Sequence, residues 1–348
     1  MPQNTHIEMA EAGAAHAQEA QRQAATDFPA LCKNAEEVSR RLAWNPSVHA
    51  SGFFSTRWKV MAASLRPVLE KVERRSRKLP ESDDLRWLRE NLLLLWAEFW
   101  NTRNAFKKLR RLPHVLTPRG TTIPRAAAVT EAYLYAAEFN FTEASFTAYL
   151  SAFQESTTLK LRELWSLVPA MELALLEQIV ARTRNVFDEM QPSQSIGVCV
   201  RSLIELNQLQ WKEVLEAQIV FDRTLRQDPA GAYSRMDFES RNFYREKLVR
   251  IAERSDFTEM EVAAQAVELA RQAQQRPVDD PRVALRQSHV GYYLLAEGAP
   301  ELRERIGFRP TLAHKIRTLL RNHPDEFYLP GIEILTFGLM SLDRKSVV

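Results

Sequence analysis

Glycine is scarce in this sequence, at 10 of 348 residues, which is less than half of the usual share of roughly 7%. Dinucleotide-binding α/β folds and β-rich folds need glycines at tight turns and phosphate-binding loops. The shortage therefore argues against both classes. Leucine, alanine, glutamate, arginine and glutamine are abundant instead, and all five favour helices. We expect an all-α protein, an irregular multi-helix array or bundle with proline-containing linkers.

Cysteine is scarcer still, since only Cys32 and Cys199 occur and they lie far apart. This excludes a disulfide framework or a CxxC metal site and indicates a reducing compartment. The seven histidines form no HExxH motif and no Cys/His cluster, so no zinc site is predicted. Nucleotide-binding motifs of the GxxxxGK[ST] and GxGxxG types are absent as well. We therefore expect neither a metal nor a cofactor in this chain.

Long apolar runs are also missing. The uncharged, mostly apolar run from Ile334 to Leu342 has nine residues, whereas a helix that crosses a bilayer needs about 20. The N-terminus has no basic segment followed by an apolar run, so no secretory signal is expected. Forty-seven cations alternate with 44 anions, giving a net charge of +3. Nucleic-acid binders concentrate positive charge, so the sequence predicts a soluble chain that does not bind nucleic acid.

Two basic runs, at 74–78 and 107–111, interrupt this even distribution. Each could be a solvated helix end, where cations complement the helix dipole. Each could instead dock on anionic lipid headgroups or, less readily, on nucleic acid. We favour the solvated helix end, and keep an anionic membrane surface as the alternative partner.

Apolar periodicity divides the chain into segments. Residues 1–55 are expected to be a partly disordered tail with a short helix, 56–112 a long helical hairpin, and 123–226 and 228–330 two helical blocks. From Ser82 one long helix is predicted, with Leu88, Leu95 and Phe99 on its apolar stripe, and with Leu93, Leu94 and Trp96 widening it. Leu112 to Pro124 holds three prolines and one glycine and is the predicted linker. Pro169 should kink or split the helix around it.

The stretch DPAGAYSRMDFESRNFYR, from Asp228 to Arg245, is the densest in polar and aromatic residues. Its first four letters are typical of a type I turn, with Gly231 in the last position. Ser234 or Asp237 is expected to cap a helix that begins at about Phe238. Arg235 could then bridge back to Asp228 or Asp237 and hold the turn.

In the predicted helix after this turn, Tyr244, Leu248 and Ile251 share the inward face. Arg241, Arg245 and Arg250 fall mainly on other faces, and Glu246 pairs with Arg250. Further on, Thr258 and Glu261 predict a capping box. Asp237 and Glu239 point about 200° apart on a helix and cannot share a metal ion. Every notable residue has a structural role, although an enzyme in which Arg235, Asp237, Arg241 and Tyr244 converge is kept as a hypothesis.

Several motifs resemble, in order, the N-terminal region of the cyclic β-1,2-glucan synthases, which are large bacterial inner-membrane glycosyltransferases. They are DPAGAYSRMDFESRNFYR itself, DLRWLREN (Asp84 to Asn91), the region 133–154, LRELWSLVPAMELALLEQ (Leu161 to Gln178), EVAAQAVELA (Glu261 to Ala270) and HVGYYLLAEG (His289 to Gly298). The resemblance covers about residues 80–330. It implies a helical region that precedes membrane spans and a transferase domain using UDP-glucose with a divalent metal. Residues 331–348 then resemble the truncated start of a first membrane span.

The acidic metal motif and the Gln-x-x-Arg-Trp motif of that transferase have no match in this sequence. No catalytic residue is therefore carried over, and the chain is expected on the cytoplasmic side of the inner membrane as a scaffold for the missing transferase and membrane domains. The alternative is a free-standing helical adaptor that binds another protein. The residues expected to serve structure or interaction are Asp228, Gly231, Arg235, Asp237, Arg241, Tyr244, Arg245, His289, Tyr292 and Tyr293.

Overall fold

The computed structural model describes residues 28–42, 52–75, 83–108, 112–117, 120–187, 195–277 and 279–310. Within them 76% of residues are helical, in 15 helices, and strands form only one small sheet. The predicted all-α class is confirmed. The chain groups into two compact units, of which the first ends at Val220 and the second begins at Phe221. The finer division into five segments stays a prediction. Residues 1–27 of the predicted tail and the predicted start of a membrane span at 331–348 lie outside the described residues.

The described part of the first unit contains nine helices and a pair of strands. They are α1 (28–41), α2 (Phe53–Arg75), α3 (Asp83–Glu90), α4 (Leu92–Lys108), β1 (His114–Leu116), β2 (Thr122–Pro124), α5 (Arg125–Ala136), α6 (Glu143–Ser156), α7 (Leu161–Phe187), α8 (Ile196–Gln208) and α9 (Trp211–Glu216).

Helix α7 is the centre of the first unit and packs against α2, α4, α5 and α8. It continues through Pro169, so the split that the proline could cause does not occur. Leu167, Met171 and Leu175 around the proline are buried, and their packing offsets the backbone hydrogen bond that proline removes. By length and composition alone α7 could cross a membrane, but most of it is buried inside the unit, as in the core helix of a globular protein.

The long helix predicted from Ser82 is two helices, because α3 ends and α4 begins on either side of Asn91. The Asn91 amide donates to the Leu88 carbonyl at 3.2 Å, and its side-chain Nδ2 donates to the Trp87 carbonyl at 2.8 Å. Asparagine side chains compete with the helical backbone in this way. Leu88 and Leu95 are buried as predicted, but Leu93 is 86% exposed, so its place in the apolar stripe was predicted wrongly.

The predicted linker is non-helical, as expected, but it also forms the sheet. Strands β1 and β2 pair antiparallel, with Val115 opposite Ile123. Each strand has only three residues, too few for a period-2 pattern to stand out among the prolines.

The second unit begins within α10 and is helical in its described part. Its elements are α10 (Val220–Leu225), a 3₁₀ turn (Tyr233–Arg235), α11 (Phe238–Ala252), α12 (Glu259–Gln275), α13 (Pro281–Gln287), α14 (Val290–Leu295) and α15 (Ala299–Arg305). Helix α12 packs against α11, α13, α14 and α15. Its predicted capping box is confirmed: the Glu261 amide donates to Thr258 Oγ1 at 3.3 Å, and the Thr258 amide donates to Glu261 Oε2 at 2.7 Å.

Candidate functional site

The turn predicted at DPAG is present at the start of the second unit. The Gly231 amide donates to the Asp228 carbonyl at 2.8 Å, and Gly231 has a φ of 62°, which favours glycine. The Asp228 side chain is buried and accepts from the amides of Ala232 and Tyr233, both at 3.1 Å. Asp228 therefore fixes both its own turn and the 3₁₀ turn that follows.

Of the two predicted caps of α11, the structure uses Asp237. Its Oδ1 accepts from the Ser240 amide at 2.7 Å, and the helix begins at Phe238 as expected. Ser234 instead donates its hydroxyl to the Arg226 carbonyl at 3.1 Å. The local signal was sufficient here because a cap and its helix lie within three residues of each other.

The arginines of this stretch make different contacts from those expected. Arg235 does not bridge to Asp228 or Asp237 but donates to the carbonyls of Gly231, at 3.1 Å, and Ala230, at 3.4 Å. Arg241 donates to the Met236 carbonyl. Because these carbonyls lie within five residues of each arginine, both side chains brace the loop around the 3₁₀ turn.

Arg245 is the main correction. It was expected away from the inward face, but its side chain is fully buried, and its Nε donates to Asp222 Oδ1 at 2.8 Å. Asp222 also accepts from the Tyr233 hydroxyl at 2.5 Å and from Arg226 Nε at 2.7 Å. Burial, together with the Asp222 charge, raises the pKa of Tyr233. Asp222, Tyr233 and Arg226 were not predicted, because an Asp222–Arg226 spacing of four residues is equally typical of an exposed helical pair.

Two predicted motifs meet at the Asp228 carboxylate. His289 Nδ1 lies 2.8 Å from Asp228 Oδ2, and the Val290 amide donates to Asp228 Oδ1 at 3.0 Å. On the other side of the ring, His289 Nε2 lies 3.2 Å from the Tyr244 hydroxyl. We refer to Asp228, Tyr244 and His289 as the junction cluster. Sequence reasoning named all three residues but could not place them together.

Electrostatics assign the protons in the junction cluster. Burial acts to raise the pKa of Asp228, but the hydrogen bonds from His289, Val290 and Tyr233 outweigh it and the pKa is lowered. The carboxylate is therefore ionised and accepts from Nδ1–H of His289. In the tautomer that carries its proton on Nδ1 alone, Nε2 accepts from the Tyr244 hydroxyl.

This order of carboxylate, imidazole and hydroxyl matches the arrangement that activates a nucleophile in hydrolases. Two observations favour a structural role instead. Burial and the Asp228 charge raise the pKa of Tyr244, so its phenol stays protonated. A Cβ atom on Gly291 would lie 2.5 Å from the Tyr244 hydroxyl oxygen and 2.7 Å from His289 Nε2. The backbone of α14 thus already occupies the space beside both reactive atoms.

Tyr292 and Tyr293 of the HVGYYL motif lie beyond the junction cluster. Tyr293 is buried and Tyr292 half-buried, and their rings meet edge to face at 5.2 Å. Gly298 packs under both, because a Cβ there would lie 2.5 Å from Tyr292 Cδ1 and 2.8 Å from Tyr293 Cδ1. Whether any of the predicted residues contacts a partner stays a prediction. In the described ranges, no three His, Cys, Asp or Glu side chains are grouped so that they could hold a metal ion.

No family model matches the sequence. Among characterised proteins, it is similar to the cyclic beta-(1,2)-glucan synthase NdvB of Rhizobium meliloti (strain 1021), with 26% identity. This chain is distantly related to a glucan synthase. The alignment covers 72% of this chain but 12% of that relative, so the chain spans a small part of the synthase's length. The predicted resemblance is confirmed as a distant relation.

Proposed function

We propose that this chain is a non-catalytic helical region of a bacterial membrane glycosyltransferase resembling cyclic β-1,2-glucan synthase, and that it scaffolds the transferase domain. The distant relation to a glucan synthase and the all-α fold support this proposal. Its partners are the transferase and membrane domains of the same enzyme. UDP-glucose and a divalent metal would bind the transferase domain, and the region would lie on the cytoplasmic side of the inner membrane.

The observation that carries the proposal is that the reactive side chains of the second unit form structural hydrogen bonds. Asp228 accepts from three backbone amides and from His289. Asp222 is likewise occupied by three side-chain donors. The hydrogen bonds of these carboxylates connect α10, α11 and α14. They therefore stabilise a rigid surface on which another domain can be positioned.

The non-catalytic part of the proposal is tested with the purified chain, UDP-glucose and Mg²⁺ or Mn²⁺. We expect no glucan and no release of UDP above that of heat-denatured chain. Membranes containing the Rhizobium meliloti synthase serve as the positive control. Glucan synthesis that is lost in the Tyr244→Phe variant would assign catalysis to the junction cluster and overturn the proposal.

The scaffold part is tested by co-expressing the chain with the transferase portion of the same synthase. We expect the two to co-purify and the yield of soluble transferase to rise. Asp222→Ala, which disrupts the buried contacts, should abolish both effects, whereas Arg250→Ala, in the exposed Glu246–Arg250 pair, should preserve them. A folded chain that neither binds nor stabilises the transferase contradicts the scaffold role and favours the free-standing adaptor.

A further inference from the structure

Helix α4 carries an exposed stripe that no described element covers. Its members follow one another at steps of four and three residues, which places them on one face of the helix. All five are exposed, and Leu93, at 86%, is the most exposed large apolar side chain in the described residues. We refer to them as the α4 stripe: Leu93, Ala97, Trp100, Asn104 and Lys107.

The aromatic member of the α4 stripe is held in a fixed position. Trp100, 46% exposed, lies 5.7 Å from the ring of Trp58. The Trp58 indole donates to the Phe99 carbonyl at 3.0 Å, which anchors it on α4. The Arg103 guanidinium lies over both indoles, 4.7 Å from Trp58 and 5.2 Å from Trp100. Two indoles and a cation thus lie together at the edge of the stripe.

The charge on the outside of α4 has one sign. The helix contains a single carboxylate, Glu98, and it is buried at 3% exposure on the side that faces α7. Among the described side chains of α4, the outward charges come from Arg103 and Lys107. The first half of the α4 stripe, with Leu93 and Trp100, is therefore apolar, and its second half is cationic. Aqueous solvent offers no partner for the first half, and an anionic surface complements the second.

We propose that the α4 stripe docks on the surface of an anionic lipid bilayer. Tryptophan is enriched where acyl chains meet headgroups, and an exposed leucine beside it can enter the apolar layer. Arg103 and Lys107 reach lipid phosphates while their carbon stems stay on the apolar side. Helix α4 then lies in the plane of the membrane rather than across it. The inference rests on the proposed function for the nearness of a membrane and deepens it by naming the contact surface.

The full chain is tested by sedimentation with vesicles of phosphatidylglycerol and, separately, of phosphatidylcholine. We expect binding to the anionic vesicles only, and weaker binding as salt rises. Leu93→Glu should weaken binding about tenfold, because it removes apolar contact and adds a repelled charge. Lys107→Gln should weaken it about fivefold, through the loss of one headgroup contact. Both residues are exposed, so both variants should fold, as circular dichroism will verify.

The matched control is Leu285→Glu, which alters a leucine that is 63% exposed on α13 and should leave vesicle binding unchanged. The lipid contact is refuted by a wild-type chain that ignores anionic vesicles, or by a Leu93→Glu variant that binds as tightly as Leu285→Glu. A chain that fails with vesicles and still co-purifies with the transferase refutes this contact and leaves the scaffold proposal standing.

Discussion

The two units each bury an arginine–carboxylate pair, but they use it differently. In the first unit Arg125 Nε donates to Glu163 Oε1 at 2.8 Å, and the pair joins the beginnings of α5 and α7. In the second unit the pair is Arg245 and Asp222, and the carboxylate also binds a phenol and a second arginine. The comparison shows that similar burial can serve a local helix contact or a centre on which several elements depend.

The largest difference in stability between the two units should follow from removing the buried carboxylate of each. Breaking a buried pair costs about 3–5 kcal/mol of unfolding free energy, because it leaves a buried charge without its counter-ion. Asp222→Ala should lie at the upper end, since three side chains lose their acceptor, and Glu163→Ala at the lower end, since one side chain, Arg125, and the Lys160 amide lose theirs. Urea unfolding followed by circular dichroism measures the loss.

Tryptophan fluorescence separates the two units in that experiment, because all seven tryptophans precede residue 221. Glu163→Ala should move the fluorescence transition to lower urea concentration. The destabilisation by Asp222→Ala should appear in the transition followed by circular dichroism. Arg250→Ala, which breaks an exposed pair, is the control and should cost less than about 1 kcal/mol. An equal or smaller loss for Asp222→Ala than for Glu163→Ala would contradict the comparison.

Glycine-to-alanine substitutions give the second contrast. Gly291→Ala should cost about 1–3 kcal/mol, because the new methyl would lie 2.5 Å from the Tyr244 hydroxyl. In Gly197→Ala of the first unit, the new methyl would lie 3.2 Å from Ser195 Oγ and 3.3 Å from Trp87 Cδ1. The neighbours can give slightly and alanine favours the helix, so its stability should change by less than about 1 kcal/mol. Equal effects in thermal unfolding would refute the close approach at the junction cluster.

The two units should also respond to pH in opposite directions. In the first, burial and the neighbouring Glu98 raise the pKa of Glu172 to about 8, against a hydrogen bond from Thr102 that lowers it. The stability that neutral Glu172 contributes is fully present below its unfolded pKa and is lost as the pH rises through its folded pKa of about 8. In the second, the lowered pKa of Asp228 gives a contribution that is present above the unfolded pKa and is lost as pH falls through the folded value.

Glu172→Gln should therefore raise the melting temperature of the first unit by roughly 4 °C at pH 9 and change it little at pH 5. Asp228→Asn should lower the melting temperature of the second unit by a similar amount at pH 7, and the difference should shrink as the pH falls towards 3. Calorimetry across this range measures both. A Glu172→Gln effect that does not depend on pH would argue against a buried, titrating carboxyl.

The helix caps should give the smallest and most equal effects. Asp237→Ala in the second unit removes the acceptor for the Ser240 amide, and Thr142→Ala in the first removes that for Ser145. Each should lower the melting temperature by about 2–4 °C. A marked asymmetry would mean that one of the two caps has a further partner.

The predictions that succeeded rest on short separations along the chain. The Asp237 cap, the Thr258–Glu261 capping box and the Glu246–Arg250 pair, whose atoms lie 3.5 Å apart, each span three or four residues, so the sequence pattern contains them. Separations of 23 residues for Asp222–Arg245 and 45 for Tyr244–His289 are set by tertiary packing, which periodicity does not encode.

The exposure of Leu93 was not predicted for the same reason as these distant contacts. The pattern shows that an apolar face exists on α4 but not whether a neighbour covers it. The burial of Arg245 follows from the opposite case, since a charged side chain enters a core only where a partner exists to receive it. In both residues the missing information was the identity of the neighbour, not the type of secondary structure.

The contacts of Asp228 have a consequence for protein synthesis. Its carboxylate binds the Val290 amide, 62 residues further along the chain, and contacts between such distant residues form late because a long loop must close first. On the ribosome, the turn at Asp228 emerges well before His289 and Val290. The second unit therefore lacks the contacts of Asp228 with His289 and Val290 until translation has passed Val290, whereas the first unit is already complete and able to fold.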